Sequence, residues 1–557
     1  MPIRVHGPQS AIRARLRSRD VMTATAETKI PDPVREGLTR GWSVIEATTL
    51  REDVTLETDV AIVGTGAGGG IAAEMLADAG LRVLLIEEGP LRSSRDFRMR
   101  ESEAYRDLYQ ESAARKTADK AINILQGRCV GGGTTVNWTS SFRTPVTTLA
   151  HWQAAYGLRG FDGPDLAPWF ARVEERLGIA PWTIAPNANN AVLARGAGKL
   201  GIGWGAIRRN VRECWNLGYC GLGCPTNAKQ SMLVTTIPHA LDRGATLVTR
   251  ARALRLVLRA DVVDSLECAA MDATGTEPSN RRIRVRARMF VAAAGAIGSP
   301  ALLLRSNVPD PYAQVGIRTF LHPTVVSAAL MPERVDGFAG APQTVYSDHY
   351  LDSVPIDGPV GFKLEAPPVH PVLAAITLPS HGSAHAAWMK RLPHMQVLIA
   401  LLRDGFHRDS AGGRVRLARD GTPLLDYTLT PYLFEGARRA MVAMAELQFA
   451  AGATSVMPVH DEGDGYASLG AARAAISEFD LRPRATTVVS AHVMGGCAIG
   501  PDPHRAVVDE TGRHHHLGNL YVVDGSLFPT SIGANPQLSI YAIAAKLATG
   551  IAGRLRT

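Results

Sequence analysis

The stretch from Thr58 to Pro90, TDVAIVGTGAGGGIAAEMLADAGLRVLLIEEGP, constrains the fold more than any other part of the chain. It reads as strand, glycine turn, helix, strand. Asp59 to Val63 is short and largely β-branched. Ile71 to Ala79 is alanine-rich, with Gly80 as its stop. Val83 to Ile86 is a second buried strand, and it ends at Glu87. Gly64, Gly66 and Gly69 stand at G-x-G-x-x-G spacing. In such a unit the first glycine permits the turn out of the strand. The second lets backbone approach a pyrophosphate, and the third lets helix and strand pack closely. Ala67 and Gly68 open the helix, whose free N–H groups and positive dipole end attract phosphate. Glu87 lies eighteen residues past Gly69, where a carboxylate can accept hydrogen bonds from both ribose hydroxyls. The competing reading is a glycine-rich turn in an unrelated α/β unit. Strand, helix, second strand and terminal acid together favour a dinucleotide site, but they do not separate NAD from FAD.

At 557 residues the chain is long for one core, so two or more domains are expected. A hydrophobic fraction of 46% beside 20% charged residues is that of a soluble globular protein. The net charge of +8 is spread out, with no basic stripe interleaved with aromatics. That speaks against nucleic acid and leaves a weak attraction to anionic membrane surfaces. No run of eighteen apolar residues occurs, so no transmembrane helix is expected. The first twenty residues are basic with no apolar core behind them, which argues against a secretory signal; Met22 is an alternative start. Cys129, Cys214, Cys220, Cys224, Cys268 and Cys497 include one tight cluster, unlike a disulfide framework. The expected location is cytoplasmic, with a peripheral association at the inner membrane as its variant.

Gly127 to Trp138, GRCVGGGTTVNW, is a second glycine loop. A run of Gly131, Gly132 and Gly133 before Thr134 and Thr135 has few side chains, so it can pass close to a flat ring or a phosphate. With the fingerprint, this loop makes the chain resemble the glucose–methanol–choline (GMC) oxidoreductases, FAD-dependent alcohol oxidases and dehydrogenases. Residues 127–137 satisfy that family's first signature, and Asn137 closes it. VAAAGAIGSPALLLRS, at 291–306, resembles the second signature; it departs at Asn307, where the family usually has glycine, which is read as a changed helix end. The C-terminal M-G-G-C and NLYVVDGSLFP are similar to long-chain alcohol oxidases and cholesterol oxidases of the family.

The resemblance implies an α/β fold: a Rossmann-like FAD-binding domain with an inserted α+β substrate domain built on an antiparallel sheet. The expected boundaries are an arm over 1–58, the FAD domain over 59–150, 215–319 and 485–557, and cap and substrate domain over 151–214 and 320–484. Residues 91–126 read as charged and helical, Ser231 to Arg243 as a helix, and Phe434 to Ala450 as a long helix. The FAD-binding set is Gly64, Gly66, Ala67, Gly68, Gly69, Glu87, Gly127, Arg128, Gly131, Gly132, Thr134, Asn137, Ala294, Gly295, Asp524, Gly525, Asn535 and Pro536. Some relatives bind FAD covalently through a histidine just before the closing asparagine. Val136 stands there, so non-covalent FAD is expected.

Flavin oxidation of an alcohol removes a hydroxyl proton to a base and a hydride to the flavin N5. His492, in S-A-H-V-M-G-G-C, matches the family's active-site histidine, and Asn535, in A-N-P, its partner. The plainer readings are a core histidine and a helix N-cap. His514, His515 and His516 lie in an expected hairpin loop and read as solvated rather than metal-binding. Cys214, Cys220 and Cys224 are spaced for an iron–sulfur cluster, a structural loop or a disulfide. The expected activity is oxidation of a long or bulky apolar alcohol to an aldehyde or ketone, with oxygen, a redox protein or a quinone as acceptor. The alternatives are a dehydrogenase relaying electrons through the three cysteines to a cytochrome, and a non-redox lyase of the same fold.

Overall fold

The computed structural model describes residues 30–272 and 274–556. The alternative start at Met22 lies outside the described residues. The fingerprint strand, Val54–Val63, sits at the centre of an eight-stranded sheet. Its neighbours are Val83–Ile86 on one side and Pro278–Ala292 on the other, both parallel to it. Thr246–Thr249 and then Ser43–Glu46 extend the parallel edge. Val262–Met271 and Ala251–Arg259 extend the other edge as an antiparallel meander. Leu520–Val522 also joins Pro278–Ala292, in parallel. Residues 60–63, 83–86 and 290–292, where the three parallel strands lie side by side, are continuous buried apolar runs because both faces are covered there. The glycine-rich helix Ala67–Asp78 packs on the last helix, Gln537–Arg556.

From Asp32 on, the expected arm is part of the nucleotide sheet and not an overlay on it. Pro33–Arg40 is a helix capped by Asp32, and Ser43–Glu46 is a full edge strand of the nucleotide sheet. Residues 91–126 are mostly not helical. Glu101–Leu108, about two turns, is the α-helix there, Glu111 and Ser112 turn the chain at φ +51° and +54°, and Ile122–Ile124 is a strand. The helix read at Ser231 starts later, at Thr236–Asp242. Asn307 stands at φ +49° just past the helix Gly295–Arg305, so it takes the left-handed position a glycine would otherwise fill.

A second eight-stranded sheet roofs the first unit. Its order is Ile122–Ile124, Val488–Ser490, Thr324–Leu330, Met395–Leu402, Phe362–Glu365, Val345–Ser347 and Gly205–Ala206, with Ser455–Pro458 also on Thr324–Leu330. The pleat gives this sheet two different faces. Val325, Leu398, Ala400, Phe362 and Leu364 pack on the long helix Pro431–Ala450. Val326, Ala328, Val397, Ile399 and Leu401 point the other way, into a cavity.

The last helix has the length and composition of a membrane span. Leu538, Tyr541, Ala545, Ala548 and Ile551 are buried in the nucleotide-domain core, which accounts for its apolarity.

Candidate active site

A cavity of about 920 Å³ runs from the fingerprint to the start of the last helix. Gly64, Gly66, Ala67, Gly68, Glu87, Gly127, Arg128, Gly132, Thr134, Asn137, Ala294, Gly295, Asp524, Gly525, Asn535 and Pro536 line it. Gly69 and Gly131 do not: they build the walls. A Cβ on Gly69 would lie 2.0 Å from the Gly64 carbonyl oxygen, so this glycine allows helix and strand to touch. Gly131, at φ +87°, donates its N–H to Thr65 Oγ1 at 3.0 Å. Thr65 in turn donates to Glu87 Oε2 at 2.6 Å. This fully buried threonine, a residue the sequence did not single out, ties the two glycine loops to the acid at the end of the second strand.

The cradle fits a dinucleotide. The helix Ala67–Asp78 begins at Gly66 with no side-chain cap, so its first-turn N–H groups are left for a ligand. A Cβ on Gly132 would lie 2.8 Å from Gly66 Cα, so any larger residue would push the two loops apart. Glu87 is buried, and burial raises its carboxyl above the usual range; Gly89 N–H reaches its other oxygen at 2.9 Å. Oε2 also accepts from Thr65 N–H at 3.3 Å, so Oε1 is the oxygen that keeps a free lone pair for ribose. Beside Glu87, Glu88 is half-buried, and Arg252 and Arg128 outweigh the loss of water and hold its carboxyl low. Asp524 spends its carboxylate on the protein, accepting from Gly295 N–H at 2.8 Å, Ser299 Oγ at 2.5 Å and Ser526 N–H at 2.8 Å. Asn137 donates to Gln537 Oε1 at 2.7 Å and so locks the second loop to the last helix.

At the far end stand His492 and Asn535. His492 Nδ1 is 3.0 Å from Nδ1 of His322, a buried histidine that carries no motif. Gly533 N–H donates to His322 Nε2 at 3.2 Å. A neutral His322 accepting there holds its proton on Nδ1 and gives it to His492, whose own proton then sits on Nε2. Burial, with the field of Lys363, pushes His492 down to about 4, so its ring is neutral at pH 7. Asn535 Nδ2 donates to Glu365 Oε2 at 3.3 Å, while Asn535 Oδ1 and Glu365 Oε1 have no partner. Glu365 and Lys363, both missed by sequence reasoning, lie at or below 1% exposure.

A smaller apolar chamber of about 120 Å³ shares Leu125, Trp138, Gln343, Ala491 and His492 with the main cavity. The roof strands Thr324–Leu330 and Met395–Leu402 form its wall, and the short helix Pro371–Thr377 covers it with Leu373, Ala374 and Thr377.

Among the described residues no three histidine, cysteine or acidic side chains converge as a metal site. Cys214, Cys220 and Cys224 are free, half-buried thiols. Their loop instead wraps Lys229, whose ammonium donates to the carbonyls of Thr135 at 2.5 Å, Cys220 at 2.7 Å and Asn137 at 2.9 Å. The loop is thus pinned to the second glycine loop, and burial pulls Lys229 down to about 8. The histidine triplet is less solvated than expected: His514 is buried, and its Nδ1 accepts from His516 N–H.

Family models described as GMC oxidoreductase match residues 105–324 and 409–544. A long-chain-alcohol oxidase of Arabidopsis thaliana is 29% identical over 527 residues, covering 90% of this chain and 68% of the relative. An uncharacterized GMC-type oxidoreductase of Mycobacterium tuberculosis is 31% identical over 494 residues, covering 88% and 75%. Among solved structures, pyridoxine 4-oxidase from Mesorbium loti aligns at a TM-score of 0.60 and 20% identity, over 88% of this chain and 99% of that one. A formate oxidase of Aspergillus oryzae aligns at 0.66 and 15%, over 90% and 99%. Fingerprint, second glycine loop, roofed cavity and these matches agree: the chain belongs to the GMC oxidoreductase family of FAD-dependent oxidoreductases.

Proposed function

We propose that the protein oxidises a long or bulky apolar alcohol to the aldehyde or ketone, with FAD held non-covalently. The observation that carries this reading is the apolar chamber opening directly onto His492. Its wall is aliphatic along the whole face of two strands, so an alkyl or ring system leaves water there while its hydroxyl reaches the polar end. Val136, on the cavity wall, offers no atom for a covalent flavin link.

Bound FAD supplies the hydride acceptor. The chain's residues hold the alcohol oxygen and move its proton. Thr324, two residues after His322, pairs with Leu401 and with Val489, three residues before His492, so the histidine end of the chamber lies at that end of the strands. The hydroxyl enters between His492 and Asn535, with the tail running toward Ala328, Val397 and Met395. His492 takes the proton at Nε2 in the other tautomer of the pair, reached by exchange with solvent, in which His492 Nδ1–H donates to His322 Nδ1 and His322 carries its proton on Nε2. That tautomer gives up the Gly533–His322 bond, which costs about 1 kcal/mol. The six unpaired cysteines fit a reducing compartment.

The test is the visible spectrum of the purified holoenzyme under anaerobic addition of long-chain primary alcohols. Bleaching of the flavin band supports the reading, and readmitted air then tells whether oxygen is the acceptor. A band unchanged by linear, branched and ring alcohols alike would move the weight to a non-redox reaction.

A further inference from the structure

Glu365 has no place in the family motifs, yet it stands directly behind the alcohol site. It ends the roof strand Phe362–Glu365, opposite Ile399. Directly opposed residues project to the same face of a sheet, and Ile399 lines the chamber. Phe362 and Leu364 face the long helix, so Lys363 and Glu365 face the site. Glu365 is fully buried. Its Oε2 accepts from Gln343 Nε2 at 2.6 Å and from Asn535 Nδ2 at 3.3 Å. Its Oε1 has no partner, and neither has Asn535 Oδ1. Two buried acceptors side by side are costly to leave unmade. A single proton on Glu365 resolves part of the conflict. The carboxyl then donates to the Asn535 oxygen, and the amide, whose two ends have the same shape, turns over.

We propose that Glu365 is a positioning residue of the alcohol site, and that its protonated form turns the Asn535 amide so that Nδ2 faces the substrate oxygen. The proposal rests on the alcohol-oxidising reading of the same site. When Glu365 is ionised, Asn535 presents Oδ1, the alcohol donates its hydrogen there, and its oxygen accepts from His492 Nε2–H. The hydroxyl proton then points away from the histidine. When Glu365 is protonated, Asn535 donates to the alcohol oxygen and the hydroxyl hydrogen turns to His492 Nε2. Only this second pattern delivers the proton to His492.

The surroundings favour a proton on Glu365 near neutrality. Burial raises its carboxyl to about 7, Lys363 opposes this and Asp348 adds to it. Lys363 is itself tied to Asp348 at 2.6 Å. Across the site both histidines are neutral at pH 7, since burial lowers each of them. Gln343, from the segment before Val345–Ser347, donates in either state of Glu365.

The experiment compares wild type, Glu365→Gln and Glu365→Leu as FAD holoenzymes, each checked for flavin content. Anaerobic flavin reduction by a long-chain alcohol is followed against pH. Wild type is expected to slow as pH rises through about 7. Glu365→Gln, a neutral donor to the amide, keeps the fast rate and loses that pH limb, whereas Glu365→Leu is slow at every pH. Infrared difference spectra read the same group without turnover: wild type minus Glu365→Gln shows a protonated-carboxyl band that titrates near 7. A Glu365→Gln enzyme that holds FAD but is slow throughout, or keeps the wild-type limb, overturns the proposal. So does the absence of the titrating band. If no alcohol reduces the wild-type flavin yet the band titrates, the alcohol reading fails while the proton on Glu365 stands.

Discussion

Chain length is the sharpest probe of the apolar chamber. Met395 to Leu401 spans six strand steps, about 20 Å at roughly 3.4 Å each. The alternate residues Met395, Val397, Ile399 and Leu401 line the chamber along that distance. Each methylene that leaves water for such a wall contributes about 0.8 kcal/mol. With tenfold in rate for about 1.36 kcal/mol, kcat/KM should rise up to about fourfold per added carbon. The rise stops when the tail reaches Met395. Val397 lies midway along the wall and is only partly buried, so its side chain borders open space. Val397→Phe fills that space, and the rise should end several carbons earlier while short alcohols react as before. The assay is flavin reduction or product formation across a homologous series of primary alcohols, with wild type and variant in parallel. A flat series in wild type, or a variant that slows all chain lengths equally, would refute the placement of the substrate tail.

Three further outcomes are expected. His492→Ala should retain FAD but reduce the flavin about 10²–10⁴-fold more slowly, the weight of a positioned base; an unchanged rate removes His492 from the chemistry. Gly132→Ala should lose FAD, because a Cβ there meets Gly66 Cα at 2.8 Å and the residue sits at φ +53°, ψ −139°, a conformation open to glycine; the backbone strain alone costs about 1–3 kcal/mol for alanine, and the check is flavin absorbance per protein. His514 is lowered to about 4 by burial, then by His516 and His515. The unfolded chain therefore binds the proton first, from about 6.5 downward, and stability is lost as pH falls from there toward 4. His514→Asn keeps an acceptor for the His516 N–H without titrating, so its melting temperature should fall less over that range.

The nucleotide half of the molecule was legible because its constraints are local. Gly64, Gly66 and Gly69 sit within one turn of each other, and what they permit, a sharp turn and close backbone contact, depends on little beyond themselves. The same holds for the loop at 127–137 and for the left-handed end at Asn307. His492 and Asn535 were found through motifs and do line one cavity, 43 positions apart. The rest was decided by pairing between distant segments. Phe362-Lys363-Leu364-Glu365 alternates apolar and charged, which reads as a strand with one wet face; the roof places that second face over the flavin cavity, so both charges are buried and must find partners there. His322 lies in an apolar run with no spacing signal, and only the meeting of Ile317–Leu321 with Val493–Gly495 brings its ring to His492. The three crowded cysteines left cluster, structural loop and disulfide open, while in the fold Lys229 ties the Cys220 carbonyl to those of Thr135 and Asn137 in the second glycine loop. Glycine patterns specify backbone, which a sequence carries in place; a buried charge takes its role from neighbours that the fold brings to it, as Asn535 is brought to Glu365 from 170 residues away.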